Sequence, residues 1–477
     1  MRFDVDPTVH EVAGRRAGGL DGRRRIIGGS PLRLWTLTAA GAALLDRVQA
    51  GGDVDPGPVG GPIAMLLDRL VDAGVLHPSP DPASTAGAPQ PEDVTVVVPV
   101  RDRPDELDRL LSALTRTAPA ARVVVVDDAS SDAVAHRDVA TRHGARLVRR
   151  EVSGGPAAAR SDGIAVVDSE LVAVVDSDCT PEPGWLEPLL AHLADDRVAA
   201  VAPRIRTGRG SGALATYDRF RSPLDLGAVP AGVRPGSRVS YVPSAALVLR
   251  VAALASVGGF DRELLVGEDV DLVWRLVRAG WGVRYEPVAV VRHPARPGWA
   301  AWCRQRVGYG RSAAPLDIRH PGQVAPLRCS PWSAAGWAAV AAGHPVAGLA
   351  VMGSSAALLP RRLPSVAAGE AVRLAVTGHL GAGRQTASAI VRAWWPAALI
   401  GSVVSRGVRR ASVVSVATVA LDAALDARRV ERGLPVRTAA MIGALAVLDD
   451  VAYGAGVWLG CSRAGSWRAL LPSFSSR

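Results

Sequence analysis

Three runs of small, mostly β-branched residues set the frame. VTVVVPV (94–100) passes into the basic loop RDRP, RVVVV (122–126) ends at Asp127 and Asp128, and ELVAVV (170–175) ends at Asp176, Ser177 and Asp178. Runs that are apolar at successive rather than alternate positions are strands buried on both faces. Between them lie PDELDRLLSAL, with Leu107, Leu110, Leu111 and Leu114 on one helical face, and GPAAARSDGIAVV, a helix opened by a Gly-Gly turn. ARLVRR adds a short strand. This alternation predicts an α/β unit with a mostly parallel sheet covered by helices. Ligands of such sheets bind beyond the carboxyl ends of the strands, which is where all four acids lie.

Two acids one residue apart at a strand end offer hard oxygen ligands to a single cation. Mg²⁺ or Mn²⁺ takes one or two carboxylates and completes its shell with water and phosphate oxygens, so Asp176 and Asp178 suit a diphosphate. The plainer reading is that Asp178 only caps the next turn. A calcium loop is excluded. Asp176, Asp178, Thr180 and Glu187 fall at its positions 1, 3, 5 and 12, but Pro181 stands where glycine is required. Asp127 and Asp128 stand where a nucleoside can be hydrogen-bonded. In SGGPAAARSDG (153–163) the helix opening is expected to turn backbone N–H groups toward an anion. A dinucleotide fingerprint, GxGxxG, is absent. GGFDRELLVGEDVDLVWRLVRAGW (258–281) sets Glu268, Asp269 and Asp271 at the start of an amphipathic helix.

The 477 residues exceed a single core. In residues 1–76, RRRIIGG reads as strand and turn, and SPLRLWTLTAAGAALLDRV has Leu34, Leu37, Leu44 and Leu45 in an apolar repeat with a polar break. IAMLLDRLVDAGVL reads as a helix ending at Gly74. The expectation is a winged-helix-like unit, with an ordinary small helical domain as the alternative. Residues 77–93, rich in Pro, Ser and Ala, read as a linker. The sheet-bearing unit is placed at 94–320, and 321–477 as a hydrophobic helical region. Within it, Ser333–Leu359 lacks Asp, Glu, Arg and Lys over 27 residues, where about 20 suffice to span a bilayer. Ala, Gly and Pro345 weaken that signal. The apolar runs at 393–405, 411–421 and 438–448 are shorter. A spanning helix, interfacial hairpins and a buried bundle all stay open. Arginines at 361–362, 406–410 and 428–432 suit anionic lipid, so the cytoplasmic face of the cell membrane is the expected location.

Net charge is +10, and every base is arginine. Heavy joint use of Ala, Gly, Pro and Arg reflects codon bias, so basicity does not argue for nucleic acid. Cys179, Cys303, Cys329 and Cys461 form no CxxC pair and read as reduced thiols rather than a zinc site. MRFDVDPTVHEV has no apolar h-region, so no signal peptide is expected.

Taken in order, VVVPVRDRP, VVVDDAS, GGPAAARSDG, DSD and GGFDRELLVGEDVDLVWRL resemble the family-2 inverting glycosyltransferases of the GT-A fold, over roughly residues 94–310. Within that family the wording, the N-terminal unit and VRHPARPGWAAWCRQRVGYGRSAAPL (291–316) resemble the glycosyltransferases of the mycofactocin system. The resemblance implies that Asp127 and Asp128 contact uracil and ribose of a UDP-sugar, with Pro99 and Arg101 beside the base and Arg160 near the nucleotide. It gives Asp176 and Asp178 the diphosphate and Mg²⁺ or Mn²⁺. His293 ligates the metal in some relatives; a structural histidine is the alternative. Asp269 becomes the general base that takes the acceptor hydroxyl proton, and Glu268 orients the acceptor. Asp271 is expected to be a solvated helix residue. Arg304, Arg306 and Tyr309 either close over the diphosphate or form a basic helix face. Trp299 and Trp302 either stack on sugar or anchor an interface. RQRVGYG lacks the Arg-Trp pair of processive synthases, so processivity is not implied.

The N-terminal unit resembles small winged domains that bind a precursor peptide as an added strand. The implied reaction is glucose transfer from UDP-glucose to a peptide-derived redox cofactor or its precursor, giving β-linked chains. A membrane glycosyltransferase with a lipid-linked or cell-wall acceptor is the runner-up. A non-catalytic nucleotide- or DNA-binding protein is the alternative of another class, in which GEDVDLVWRL would have no role. No nucleic acid partner is expected.

Overall fold

A computed structural model describes residues 1–12, 24–58, 60–81, 87–208, 210–296 and 298–474. The chain divides into two compact units. One holds the described residues of 1–11, 21–210 and 222–295; the other is built chiefly from those of 211–221 and 296–477.

The first unit begins with β1 (Phe3–Val5), β2 (His10–Glu11), β3 (Arg24–Gly28), β4 (Arg33–Leu37), α1 (Ala39–Gln49), α2 (Pro62–Asp72) and β5 (Leu76–Pro78). β2, β3 and β4 form an antiparallel sheet, and β1 pairs with β5. The apolar repeat of 34–45 is divided between β4 and α1 because Thr38 caps the helix, its hydroxyl accepting from the Gly41 N–H at 3.3 Å. Gly74, at φ +69°, ends the segment after α2 in a conformation that suits glycine. Ile26, Leu37, Leu45, Leu67, Leu70 and Val75 make the core of this part. Asp68 and Asp72 bind Arg197 and Arg234 of the larger part at 3.1 and 2.7 Å.

That larger part runs β6 (Val94–Val100), α3 (Pro104–Thr117), β7 (Arg122–Asp127), α4 (Ala133–Arg142), β8 (Arg146–Arg149), α5 (Gly155–Ile164) and β9 (Leu171–Val175). It continues with β10 (Thr180–Pro181), α6 (Glu187–His192), β11 (Val198–Thr207), β12 (Ala231–Gly232), β13 (Ala246–Arg250), α8 (Val251–Ser256), α9 (Glu268–Arg278) and β14 (Gly282–His293). α7 (Ala213–Arg221) belongs to the second unit. The sheet order is β10-β14-β11-β13-β9-β6-β7-β8, with β12 on β14. β9, β6, β7 and β8 are parallel, as are β11 and β14; β13 enters antiparallel to both of its neighbours. The four leucines of α3 are buried with Val96, Val98 and Val125. Gly163 lets α5 approach the other face, since a Cβ there would collide with Val97 and Val126. In register, Val100 opposes Asp127 and Val97 opposes Val174. Asp127, Asp128, Asp176 and Asp178 therefore share one rim.

Among its described residues the second unit is largely helical: α7, α10 (Trp299–Arg311), α11 (Ala313–Arg319), α12 (Pro331–Ala341), α13 (Pro345–Arg362), α14 (Ala368–Arg392), α15 (Trp395–Val404), α16 (Arg406–Val430) and α17 (Val436–Ala464). The uncharged run from Ser333 to Leu359, weighed above as one span, is two short helices. Gly343, at φ +91°, and Pro345 break it, and Gly336 and Gly348 allow the pieces to pack closely. Among the described residues one helix, Val436–Ala464, is long and apolar enough to cross a membrane; α14 and α15 pass that test together only across an 89° bend. α17 also carries Asp449 and Asp450. Asp449 accepts from Tyr217 at 2.9 Å and Arg306 at 3.1 Å, and Asp450 accepts from Arg392 at 2.7 Å.

Candidate active site

The site is assembled at the carboxyl ends of β6, β7 and β9 and the first turn of α9. At the end of β7, Asp127 is fully buried. It accepts from the Ser130 N–H at 2.9 Å and pairs with Arg149. Asp128 accepts from the N–H groups of Gly154 and Gly155 at 3.0 and 2.9 Å and from the Ser153 hydroxyl at 2.7 Å, and it pairs with Arg150. Burial alone would raise the Asp128 pKa, but these donors outweigh it and hold the carboxyl below its usual range. This corrects one expectation. The N–H groups at the opening of α5 already face an anion, the chain's own Asp128.

Beyond β6, where Pro99 is half-buried, Arg101 donates to Ser153 Oγ at 2.8 Å. Asp102 takes a left-handed conformation, φ +54°, and accepts from the Ser131 N–H and hydroxyl. Arg103 was not singled out in the sequence, yet its guanidinium donates to Asp178 Oδ2 at 2.8 Å. Its backbone N–H donates to Nε2 of buried His136 at 3.3 Å, whose Nδ1 in turn donates to the Asp132 carbonyl at 2.7 Å. Nothing in the local sequence around His136 marks it, because its partner is 33 residues away.

Arg160 is the hub. It is 2% exposed, and it donates to Asp176 Oδ1 at 2.6 Å and to Glu268 Oε1 at 2.7 Å. Desolvation disfavours its charge, but the two carboxylates more than compensate and its pKa is raised. Ser244 and Ala245 tie the same groups through backbone: the Ser244 N–H donates to Asp269 Oδ2 at 3.2 Å, and the Ala245 carbonyl accepts from Asp176 N–H at 2.9 Å. Asp269 Oδ1 also takes the Val270 N–H at 2.8 Å. Glu268 and Asp269 open α9 after Gly267, at φ +84°, where the helix dipole favours negative charge. Both pKa values are nevertheless raised. For Glu268 the causes are burial and then its charged neighbour Asp269, against Arg160. For Asp269 burial outweighs the hydrogen bonds and Arg160. Asp271 is not solvated, contrary to expectation. It is buried and paired with Arg275 at 2.7 Å, and Arg275 reaches on to the carbonyls of Val257 and Gly259, locking α9 to the preceding turn.

His293 ends β14, with Nε2 at 3.5 Å from Asp178 Oδ1. Its Nδ1 lies 2.8 Å from the Pro294 carbonyl, which can only accept, so Nδ1 carries the proton. In the neutral ring the Nε2 lone pair then faces a carboxylate oxygen. Two electron-rich atoms so placed need a proton or a cation between them. The donor chemistry thus fits a divalent ion at Asp178 and His293. Among the described residues no three or more His, Cys, Asp or Glu side chains are grouped to hold a metal, and Asp176 is turned to Arg160. Protein ligands alone do not complete a shell, which leaves positions for phosphate and water.

In the second unit Arg306 is buried and engaged by Asp218 at 2.8 Å and by Asp449, and Trp302 is buried edge-on to Tyr217. Neither is presented to a diphosphate or a sugar. Trp299 is exposed, and Tyr309 accepts from the Gln305 amide at 3.0 Å.

Residues 95–253 match the family described as glycosyl transferase family 2. Along nearly its whole length the chain is similar to the pre-mycofactocin glycosyltransferase of Mycobacterium tuberculosis, with 40% identity over 473 residues and 96% of each chain covered. It is 26% identical to glycosyltransferase AglE of Haloferax volcanii, over 46% of this chain and 72% of that one. Among solved structures, a mannosyltransferase from Pyrobaculum calidifontis in complex with GDP-Man and Mn²⁺ aligns at 22% identity and a TM-score of 0.38. It covers 63% of this chain and 89% of that one. Matched along almost all of both chains by a glycosyltransferase, and carrying the family's sequence over the sheet that bears the site, the chain belongs to glycosyl transferase family 2 and is a glycosyltransferase.

Proposed function

We propose that this enzyme transfers glucose from UDP-glucose, with inversion, to the peptide-derived redox cofactor mycofactocin or its precursor, building β-linked chains. The observation that carries the chemistry is the Arg160 bridge. It joins Asp176, on the donor rim, to Glu268, next to Asp269. The acceptor-orienting Glu268 and a diphosphate-facing carboxylate are thereby held on opposite arms of one rigid guanidinium, and the base Asp269, next to Glu268, is fixed by the Ser244 and Val270 N–H groups.

Asp269 takes the proton of the acceptor hydroxyl as its oxygen attacks the anomeric carbon. The new C–O bond forms on the face opposite the departing group, and the electron pair of the broken bond leaves with UDP. An α-linked donor so gives a β-glycoside. Glu268, fixed by Arg160, orients the acceptor. Asp178 and His293 would hold Mg²⁺ or Mn²⁺, joined by Asp176 through the carboxylate oxygen that Arg160 does not engage, and the ion would offset the charge on the leaving diphosphate. Asp127 and Asp128 shape the nucleoside end through the loops they hold, with Pro99 and Arg101 beside the base. The acceptor assignment is supported by the similarity to the mycobacterial protein, which runs through the N-terminal and C-terminal regions as well as the sheet. Residues 1–76 are proposed to recognise the peptide part of that acceptor, with 77–93 as linker.

The test is an assay of the full chain with UDP-glucose, UDP-galactose and UDP-N-acetylglucosamine, each with and without Mn²⁺. Products on the precursor are followed by mass spectrometry and their anomeric configuration by NMR. Successive hexose additions from UDP-glucose, β-linked and lost on chelation, are expected. Transfer from another sugar, an α-linked product or indifference to chelation would each overturn the matching part. A precursor left unmodified while a lipid is glycosylated would overturn the acceptor.

A further inference from the structure

Between Ile318 and Leu421 the chain carries ten arginines and a single acid, Glu370. That excess of nine is nearly the whole of the chain's net +10. The stretch builds α12 to α15 and the first part of α16, all in the second unit. α15 has no buried residue. Its Leu399, Ile400, Val403 and Val404, with Val346 and Leu349 at the start of α13, are 63–86% exposed. Single exposed apolar side chains are ordinary; a cluster of six large ones is not.

The cluster is gathered at one place. A Cβ on Gly407 would lie 3.0 Å from the Ala341 carbonyl oxygen, and one on Gly401 would lie 3.1 Å from Val408. The turn between α15 and α16 therefore sits beside the turn between α12 and α13, where residues 341–347 are all exposed. Arg406, Arg409 and Arg410, also exposed, open α16 at the same tip. Positive charge at a helix N-terminus opposes the helix dipole, so three arginines there serve something other than the helix.

We propose that this tip docks on the surface of an anionic lipid bilayer. The apolar side chains enter the boundary between headgroups and acyl chains, and the arginines meet lipid phosphates. Interfacial binding grows with both terms. A second copy of the chain is disfavoured as the occupant, since self-association through this tip would set arginines against arginines. α17, among the described residues the one helix long and apolar enough to span by itself, carries Asp449 and Asp450 in ion pairs within the unit. The contact is accordingly superficial.

The full chain is to be sedimented with vesicles of phosphatidylcholine alone or mixed with phosphatidylglycerol. Binding to the anionic vesicles and release at high salt are expected. Combining Arg406→Gln, Arg409→Gln and Arg410→Gln should weaken binding about fivefold per residue, on the order of a hundredfold together. Val403→Ser with Val404→Ser should weaken it through the apolar term alone. Glycosyl transfer to a soluble acceptor, and the circular dichroism spectrum, should remain those of the parent in both variants. Equal binding to neutral and anionic vesicles, or unchanged binding of the arginine variant, would overturn the proposal. So would a dimer in light scattering that Val403→Ser and Val404→Ser dissolve, with no vesicle binding.

Discussion

Asp269 stands beside Glu268 in sequence, but their titration is set by groups far along the chain. Two buried carboxylates one residue apart cannot both ionise cheaply, and protons leave them as a coupled pair. A base works only when ionised, so the rate must rise with pH as Asp269 loses its proton. Both values are raised, which places the acidic limb of kcat/KM above the ordinary carboxylate range. Glu268→Gln removes one of the two like charges and should move that limb to lower pH. Arg160→Gln removes the cation that favours ionisation and should move it higher, while Arg160→Lys should restore part of the shift. A limb that stays fixed in all three variants would separate the pair from the chemistry. Asp269→Asn should lower kcat by at least a hundredfold, the lower end of what a positioned base contributes (about 10² to 10⁴). UDP affinity, read by calorimetry, should change little. Wild-type turnover in Asp269→Asn would assign the base elsewhere.

At the scale of elements, the loops at the rim are held by the acids that end the strands. Asp128 fastens the start of α5, and α5 delivers Arg160. Asp128→Ala would leave the Gly154 and Gly155 N–H groups without their acceptor and Arg150 with Asp162 alone, and should cost about 3 kcal/mol, read as an earlier unfolding transition. The Asp128 pKa is lowered in the folded chain. Its stabilisation is therefore complete above the unfolded value, about 4, and is lost as pH falls through the folded one. Asp128→Ala should accordingly lose less stability on acidification than the parent. On the neighbouring loop, His136 steadies Arg103, which grips Asp178. Arg103→Ala should raise the KM for the donor several-fold with a smaller change in kcat for a slow donor analogue, as checked by initial rates. The strands and α3 were legible because buried runs and a four-leucine face leave few alternatives. The arginine partners of Asp127 and Asp128 were not, because an acid at a strand end looks the same whatever it will pair with.

For the molecule as a whole, the second unit rests on a polar centre inside an apolar bundle: Arg306, Asp218, Tyr217 and Asp449. Removing one charge from such a network strands the others. Asp449→Ala should cost about 3–5 kcal/mol, seen as loss of folded protein or a lowered thermal transition. An unchanged transition would mean that the network contributes nothing net. The sequence by itself determined the sheet-bearing unit, the rim on which its acids lie and the order of motifs that identifies the family. Those are properties of local pattern: which residues are apolar in succession, and where they stop. Tertiary structure alone decided which acids are engaged and by what. It turned Asp127, Asp128 and Asp271 inward onto arginines, joined Asp176 to Glu268 through Arg160, and broke the long uncharged run into two helices. Partner choice at short range depends on distances that close only when the whole chain has folded. A linear pattern carries the kind of each side chain but not the neighbour it will meet.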